Sequence, residues 1–261
     1  ASAGTSNFRA GVNAGNSIES GGVFNVLIGD EAGTSITTGD NNVAVGYQAL
    51  ATEDANGTNV AIGRKALYTL NAGADAYNVA VGYLAGQLIT TGVQNTLIGG
   101  LAGDALTDAD YNVALGYLAL SSDTLGSTSV AIGAYSLEAQ NFTSATNAYN
   151  VAIGYNTGAD ITTGVNNTLI GGLAGDAITT GNNNSAVGYS ALGANTTGAS
   201  NAAFGLLSLA ANTTASFNSG FGQNSLAANT TGANNSAVGF GSLAANTTGA
   251  DNTAVGSASL D

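Results

Sequence analysis

Two identical glycine-rich runs are the first stretches of this sequence whose residue types and spacing suggest chemistry. NTLIGGLAGDA occurs at residues 95–105 and again at residues 167–177. A glycine-rich turn that opens a helix can hold phosphate, but a phosphate loop needs Lys and then Ser or Thr after its last glycine, and a dinucleotide site needs a following helix. Neither run has these features, so we interpret both as structural.

The remaining candidate chemistry is metal binding or acid–base catalysis. The acidic loop Asp104, Asp108 and Asp110 is the best cluster, but calcium takes six to eight oxygen ligands and the nonapeptide pattern of calcium-binding β-rolls is absent. The chain has no His and no Cys, which removes the imidazole base, the thiolate and the usual zinc ligands. We therefore expect no catalytic residue, no metal and no cofactor, and a protein that is not an enzyme.

The composition excludes several classes of partner. The 261 residues include 39 Gly, no Pro, and 16 Asp or Glu against three Lys or Arg, for a formal net charge of −13. Such a chain repels nucleic acid, and no apolar run reaches the ~18 residues of a membrane span. Because 44% of the residues are hydrophobic, the chain is not disordered.

One repeat dominates the sequence. It reads Asn, a small or β-branched residue, Ala or Leu, a bulky residue, and Gly, and its first copies begin at Asn25, Asn42 and Asn59. The same spacing holds along the chain, except that it is longer after Asn59 and after Ser129. A degenerate copy, NFRAG, begins at Asn7.

The length of the repeat indicates the fold. A unit of roughly 17 residues suits one coil of a β-solenoid. We predict an all-β, single-chain parallel β-solenoid (β-roll) of about 15 coils, with a degenerate coil or cap at 1–24 and fourteen repeats at 25–261.

Residue size within the repeat predicts which side chains face inward. The fourth position is always bulky, so we expect it to form the core stack: Val45, Ile62, Val81, Ile98, Leu115, Ile132, Ile153, Ile170, Val187, Phe204, Phe221, Val238 and Val255.

The third position points to the other side of the strand. A strand that is apolar on both sides is covered on both sides, so we expect another copy of the chain to pack on a self-association face: Ala44, Ala61, Ala80, Leu97, Ala114, Ala131, Ala152, Leu169, Ala186, Ala203, Ala237 and Ala254.

The first position predicts a ladder of amides. Stacked coils place these asparagines one above another, so that each amide satisfies its neighbours; a plain turn role is the alternative. The ladder is Asn42, Asn59, Asn78, Asn95, Asn112, Asn150, Asn167, Asn184, Asn201, Asn218, Asn235 and Asn252. The invariant Gly at the fifth position predicts a sharp corner or a close approach of neighbouring backbone.

Two further patterns concern the turns. Both long spacings precede an AYN segment, and AYNVAVGY (76–83) and AYNVAIGY (148–155) recur at the same offset as the two NTLIGGLAGDA runs, which predicts inserted loops at one recurrent slot. Thr-Thr pairs recur in many turns, as at Thr162-Thr163 and Thr196-Thr197. Adjacent residues point to opposite faces, so we favour hydroxyl-to-backbone bonds over an ice-binding plane.

The motifs NNVAVGYQAL, YNVAIGYN, NTLIGG, NNSAVGYSAL and NNSAVGFGSL resemble the Asn-x-x-x-Gly repeats of trimeric autotransporter adhesin heads. They are also similar to phage tail-fibre and bacterial surface-fibre repeats. The resemblance covers about residues 25–261 and implies a left-handed parallel β-roll, three chains of which pack into a head that binds host or matrix surfaces. The repeat here is longer than is usual in that family.

These observations lead to one functional expectation and two alternatives. We expect a non-enzymatic extracellular, cell-surface or virion-surface fibre segment that self-associates, as a homotrimer or a filament, and adheres to a host, matrix or surface ligand. The last coil, NTAVGSASLD, has no polar cap, so the first alternative is a subunit of a head-to-tail filament. The second alternative is an ice-binding β-solenoid.

Overall fold

The computed structural model describes residues 6–260, and within that range the chain contains strands and turns but no helix. Residues 1–5 of the predicted N-terminal segment and Asp261 lie outside the described residues. No segment of residues 6–260 forms a helix long and apolar enough to cross a membrane. The chain divides into two compact units, one containing residues 6–129 with 141–146 and the other residues 130–140 with 147–260.

The first unit is a stack of parallel coils. Its three-residue strands are β1 (Phe8–Ala10), β2 (Val26–Ile28), β3 (Val43–Val45), β4 (Val60–Ile62), β5 (Val79–Val81), β6 (Thr96–Ile98) and β7 (Val113–Leu115), and a two-residue strand β8 (Gly126–Ser127) follows. Each of β1 to β6 pairs in parallel with the next strand at the same repeat position, as in Val43 with Val60 and Ala44 with Ala61. The degenerate copy at Asn7 thus supplies a strand of its own.

The second unit repeats this architecture. Its three-residue strands are β9 (Val130–Ile132), β11 (Val151–Ile153), β12 (Thr168–Ile170), β13 (Ser185–Val187), β14 (Ala202–Phe204), β15 (Ser219–Phe221), β16 (Ser236–Val238) and β17 (Thr253–Val255). They too pair in parallel, one strand per coil. The two-residue strand β10 (Thr146–Asn147) has one residue in each unit. The predicted all-β parallel β-solenoid of about 15 coils with a 17-residue repeat is confirmed.

The corner after each strand depends on the invariant glycine. Gly46 adopts a φ of 135°, and a Cβ added there would lie 2.5 Å from the carbonyl oxygen of Gly63 in the next coil. The corner therefore combines a backbone conformation that L-residues disfavour with a close approach between coils, and only glycine accommodates both.

The interior is filled by side chains of complementary size. Leu97 at the third position is fully buried, and a Cβ added to Gly103, at the ninth position of the same coil, would lie 2.8 Å from Leu97 Cδ2. In the coil that begins at Asn42 the sizes are exchanged, since Ala44 and Leu50 occupy these positions and both are fully buried. The last glycine of NTLIGGLAGDA thus makes room for its leucine.

The prediction that the fourth-position side chains form the core is wrong, because these side chains point out of the coil. The fourth-position side chains are half-buried or exposed, with Ile98 40% and Val255 73% exposed. They lie on the outside of the coils at Val45, Ile62, Val81, Ile98, Leu115, Ile132, Ile153, Ile170, Val187, Phe204, Phe221, Val238 and Val255. The physical reason is that a narrow coil, which must also hold the ninth- and twelfth-position side chains, accepts only small residues or a compensated leucine from its strand.

Candidate functional site

The residues predicted to face a partner form the interior of the coils. These third-position residues are at most 4% exposed: Ala44, Ala61, Ala80, Leu97, Ala114, Ala131, Ala152, Leu169, Ala186, Ala203, Ala237 and Ala254. They cannot contact another chain, and the predicted self-association face is corrected accordingly. The inward and outward sides of the strand are exchanged relative to the prediction.

The outward side of the strands carries two ranks of side chains, which together we call the outer face. The fourth-position rank is apolar in both units, whereas the second-position rank is mostly Val in the first unit and mostly Ser or Thr in the second. Its fourth-position rank is the set of bulky residues named above with Ala10 and Ile28, and its second-position rank was not singled out by the sequence reasoning. The second rank is Phe8, Val26, Val43, Val60, Val79, Thr96 and Val113 in the first unit and Val130, Val151, Thr168, Ser185, Ala202, Ser219, Ser236 and Thr253 in the second. Residue alternation along each strand could have identified it, because second and fourth positions share a side.

The outer face is free of charge in both units. Among the described strands, no second- or fourth-position residue is Asp, Glu, Lys or Arg. The carboxylates of this strongly acidic chain lie instead in the corners and turns. On a protein of net charge −13, the absence of charge is therefore a local property of this one side of the coils.

Aromatic and cationic side chains flank the outer face. Tyr47 and Tyr83, at the sixth position, are 45% and 51% exposed. Arg64 lies in the coil between them, with its guanidinium carbon 6.0 Å from the Tyr47 ring centre and 5.5 Å from that of Tyr83. Its Nη1 also donates to Tyr83 Oη at 3.3 Å. The margin therefore carries amphipathic residues of the kinds that protein interfaces favour.

The structure contains the asparagine ladder at the start of the strands. In both units the side-chain Oδ1 of an asparagine accepts the backbone N–H of the first-position residue one coil on, at 2.8–3.2 Å; that residue is an asparagine except after Asn112, where it is Ser129. The Nδ2 groups also donate to backbone carbonyls, as from Asn78 to Gly92 at 2.8 Å. These amides are buried at Asn42, Asn59, Asn78, Asn95, Asn112, Asn150, Asn167, Asn184, Asn201, Asn218 and Asn235, while Asn252 is half-buried. The ladder fixes each strand relative to the next.

A second amide ladder, which the sequence reasoning missed, occupies the twelfth position in the second unit. Asn212 Nδ2 donates to Asn195 Oδ1 at 2.9 Å, and Asn229 and Asn246 continue the series at 3.2 and 2.9 Å. Each amide also donates within its own turn, as from Asn195 to the Gly198 carbonyl at 2.9 Å. Hydrogen bonds from these buried amides therefore stabilise the NTTG turns.

Two buried carboxylates hold the inserted loops of the longer coils. Glu53 accepts the backbone N–H of Asn56 at Oε1 (3.3 Å) and that of Ala72 at Oε2 (3.5 Å). Asp123 Oδ1 accepts Gly126 N at 3.0 Å and Phe142 N at 3.1 Å. Burial raises the pKa of Glu53 above its usual value, although its hydrogen bonds oppose that rise. Both acids stand at the twelfth position, one coil before an insertion.

The acidic loop does not assemble into a metal site. Asp108 Oδ1 accepts Thr91 Oγ1 at 2.7 Å, and Asp110 Oδ1 accepts Val93 N at 2.7 Å. Asp104 Oδ1 is buried without a hydrogen bond, and burial raises the pKa of this carboxyl. Across residues 6–260 no acidic group is arranged to hold a metal ion.

Comparisons with protein family models, with curated proteins and with solved structures find no match to this chain. The fold and the two ladders define the class, a parallel β-solenoid repeat protein with one short strand of the main sheet in each coil.

Proposed function

We propose that this chain is a non-enzymatic extracellular segment of a structural or adhesive fibre, and that it self-associates through the outer face of its parallel strands. The observation that carries the proposal is the uncharged outer face, which is apolar at the fourth position in both units and largely apolar at the second position in the first unit. The proposed partner is still a second copy of the chain. The residues that contact it are now those on the outward side of the strands, in place of the third-position residues.

The size and composition of the outer face support self-association. Seven strands at a spacing of about 4.8 Å and a length of about 10 Å give the first unit an outer face of roughly 340 Å². Apolar patches of a few hundred Å² often mark interaction sites. Parallel strands that are apolar on both sides are normally covered on both sides, and the coil interior covers only the third position.

A second copy suits the charge distribution better than a basic partner does. A basic partner would be attracted to the carboxylates in the turns, whereas the outer face offers it no counter-charge. Two outer faces exclude water from each other without bringing any carboxylate into their centre. The resemblance to trimeric autotransporter adhesin heads and to phage and bacterial surface fibres supports a homotrimer and an extracellular, cell-surface or virion-surface location.

Attachment would proceed through the repeated surface of the assembly. Residues 6–260 form no pocket, so a small ligand has no enclosed site in the described part of the chain. Identical contacts repeated along the coils of several copies raise the overall affinity for a host, matrix or other surface, even when each contact is weak.

The test places charge in the outer face. We expect the wild-type chain to sediment as a homo-oligomer and the double variant Ile62→Lys/Ile98→Lys to sediment as a monomer, because two buried lysines would lack partners. Both side chains are 38–40% exposed in the single chain, so the variant should keep the β-sheet circular dichroism of the wild type. The matched control Thr52→Lys changes an exposed turn residue and should leave the oligomer intact.

Two outcomes would count against this proposal. A wild-type chain that stays monomeric at high concentration would refute association through the outer face. Open-ended growth in place of a closed oligomer would favour the head-to-tail filament.

A further inference from the structure

We propose that the turn surface of the second unit binds ice. The ligand is the regular lattice of water molecules at a crystal surface, and the contact residues are the exposed threonines at the fourteenth repeat position. This surface is separate from the outer face of the strands, so the inference does not depend on self-association.

The threonines form an uninterrupted rank. In six successive coils of the second unit the fourteenth position is an exposed threonine: Thr163, Thr180, Thr197, Thr214, Thr231 and Thr248. Equal positions of adjacent parallel coils are about 4.8 Å apart. The rank thus presents one hydroxyl and one methyl group per coil at a constant interval, which is close to the repeat of oxygen atoms along a row of the ice lattice.

The two threonines of each pair have different roles. The hydroxyl of the thirteenth-position residue donates to the backbone carbonyl of its equivalent in the next coil, as from Thr179 to Thr196 at 3.2 Å and from Thr196 to Thr213 at 3.1 Å. Such bonds are the turn role that the sequence suggested. The fourteenth-position hydroxyls of this unit make no hydrogen bond to residues 6–260 and remain available to water.

Hydrogen bonds from within the coil hold the last four threonines of the rank, Thr197 to Thr248. The buried amides of Asn195, Asn212 and Asn229 bond to one another and to the carbonyl three residues later in their own turns. Backbone bonds between turns, such as Thr213 N to the Thr230 carbonyl at 3.0 Å, add a further ladder. A Cβ at Gly198 would collide with the Ala215 carbonyl oxygen, so the glycine allows the turns to stack closely. Repeated identical bracing keeps the interval between threonines constant.

The middle coils of the rank also lack charge. Residues 177–250 contain no Asp, Glu, Lys or Arg. Charged groups hold their own hydration shells, which do not match a neutral crystal lattice, whereas hydroxyl and methyl groups contact ice without that cost. The uncharged coils therefore suit ice better than they suit a charged polymer.

The experiment measures thermal hysteresis, the gap between the melting and freezing temperatures of a single ice crystal, in a solution of the full chain. We expect the wild type to lower the freezing temperature below the melting temperature and to inhibit ice recrystallisation. We expect Thr197→Lys/Thr214→Lys to lose most of that gap, because two lysines interrupt the centre of the rank. The control Thr52→Lys/Thr143→Lys makes the same change at exposed threonines outside the second unit and should keep the wild-type gap.

Circular dichroism and thermal unfolding of the three proteins confirm that each is folded. A wild-type gap no larger than that of an inert protein at equal concentration overturns the inference. An equal loss in both double variants also overturns it, because the effect would then follow net charge and not the rank.

Discussion

The fifth-position glycine combines a positive φ with a close contact to the next coil. Gly63 has a φ of 135°, and an added Cβ would lie 2.6 Å from the carbonyl carbon of Gly82 and closer still to its oxygen. We expect Gly63→Ala to lower the free energy of unfolding by about 3 kcal/mol or more, since backbone strain adds to a collision that no side chain can relieve.

The matched control is Gly73→Ala in the first inserted loop. Gly73 also has a positive φ, of 70°, but a Cβ there meets nothing within 4 Å. Its cost should be limited to the left-handed backbone conformation, about 1 kcal/mol. Urea denaturation of the two variants measures the difference, and equal losses would mean that contact between coils contributes nothing at the corner.

Single positions of the repeat differ in how readily sequence predicts their role. The asparagine and glycine positions were predictable because one residue type satisfies each: an amide can bond along a stack, and glycine alone fits the corner. The direction of Ala44 and Val45 was not predictable from size, because the deciding quantity is the width of the coil. That width depends on Leu50 and its equivalents, which lie several residues later in the chain.

At the scale of elements, the inserted loops depend on buried acids. The repeat spacing predicted where the loops occur, and residues 71–75 and 141–147 are mostly exposed. The anchoring role of Glu53 and Asp123 was missed because each acid precedes its loop by a whole coil. Only the stacking of coils brings such residues together.

The carboxyl group of Glu53 predicts a pH dependence of stability. It titrates near 4.5 without the protein environment, and burial raises its pKa in the folded chain. Between these two pKa values the unfolded chain releases a proton that the folded chain retains. The free energy of unfolding therefore falls as the pH rises from 4.5 through the folded pKa, and it is unaffected by this group outside that window.

The variant Glu53→Gln should lack this slope, because its amide carries no titrating proton while its oxygen still accepts backbone N–H groups. The wild type should lose stability relative to the variant as the pH is raised from about 4 to about 8. Urea denaturation across this range gives the difference, with Glu19→Gln, at an exposed site, as the control. A difference that stays constant with pH would show that burial does not favour the protonated form.

At the scale of the whole molecule, charge and apolar surface are separated. The acids occupy corners and turns, and two uncharged surfaces remain: the outer face of the strands and the threonine rank of the second unit. Sequence periodicity was enough to predict stacked coils. It did not show which positions lie on the surface, because exposed and buried positions repeat with the same period. Exposure in the folded coil distinguishes them.

The separation of charge predicts how salt affects self-association. Each copy carries a net charge of −13, so copies repel one another at low ionic strength, while contact through the outer face breaks no ion pair. Raising NaCl from about 0.01 M to about 1 M shortens the Debye length from roughly 30 Å to roughly 3 Å, which should remove the repulsion and strengthen association. Sedimentation equilibrium at several salt concentrations measures the effect. Association that weakens with salt would mean that ion pairs hold the copies together, and the contact would then lie among the charged turns and not on the outer face.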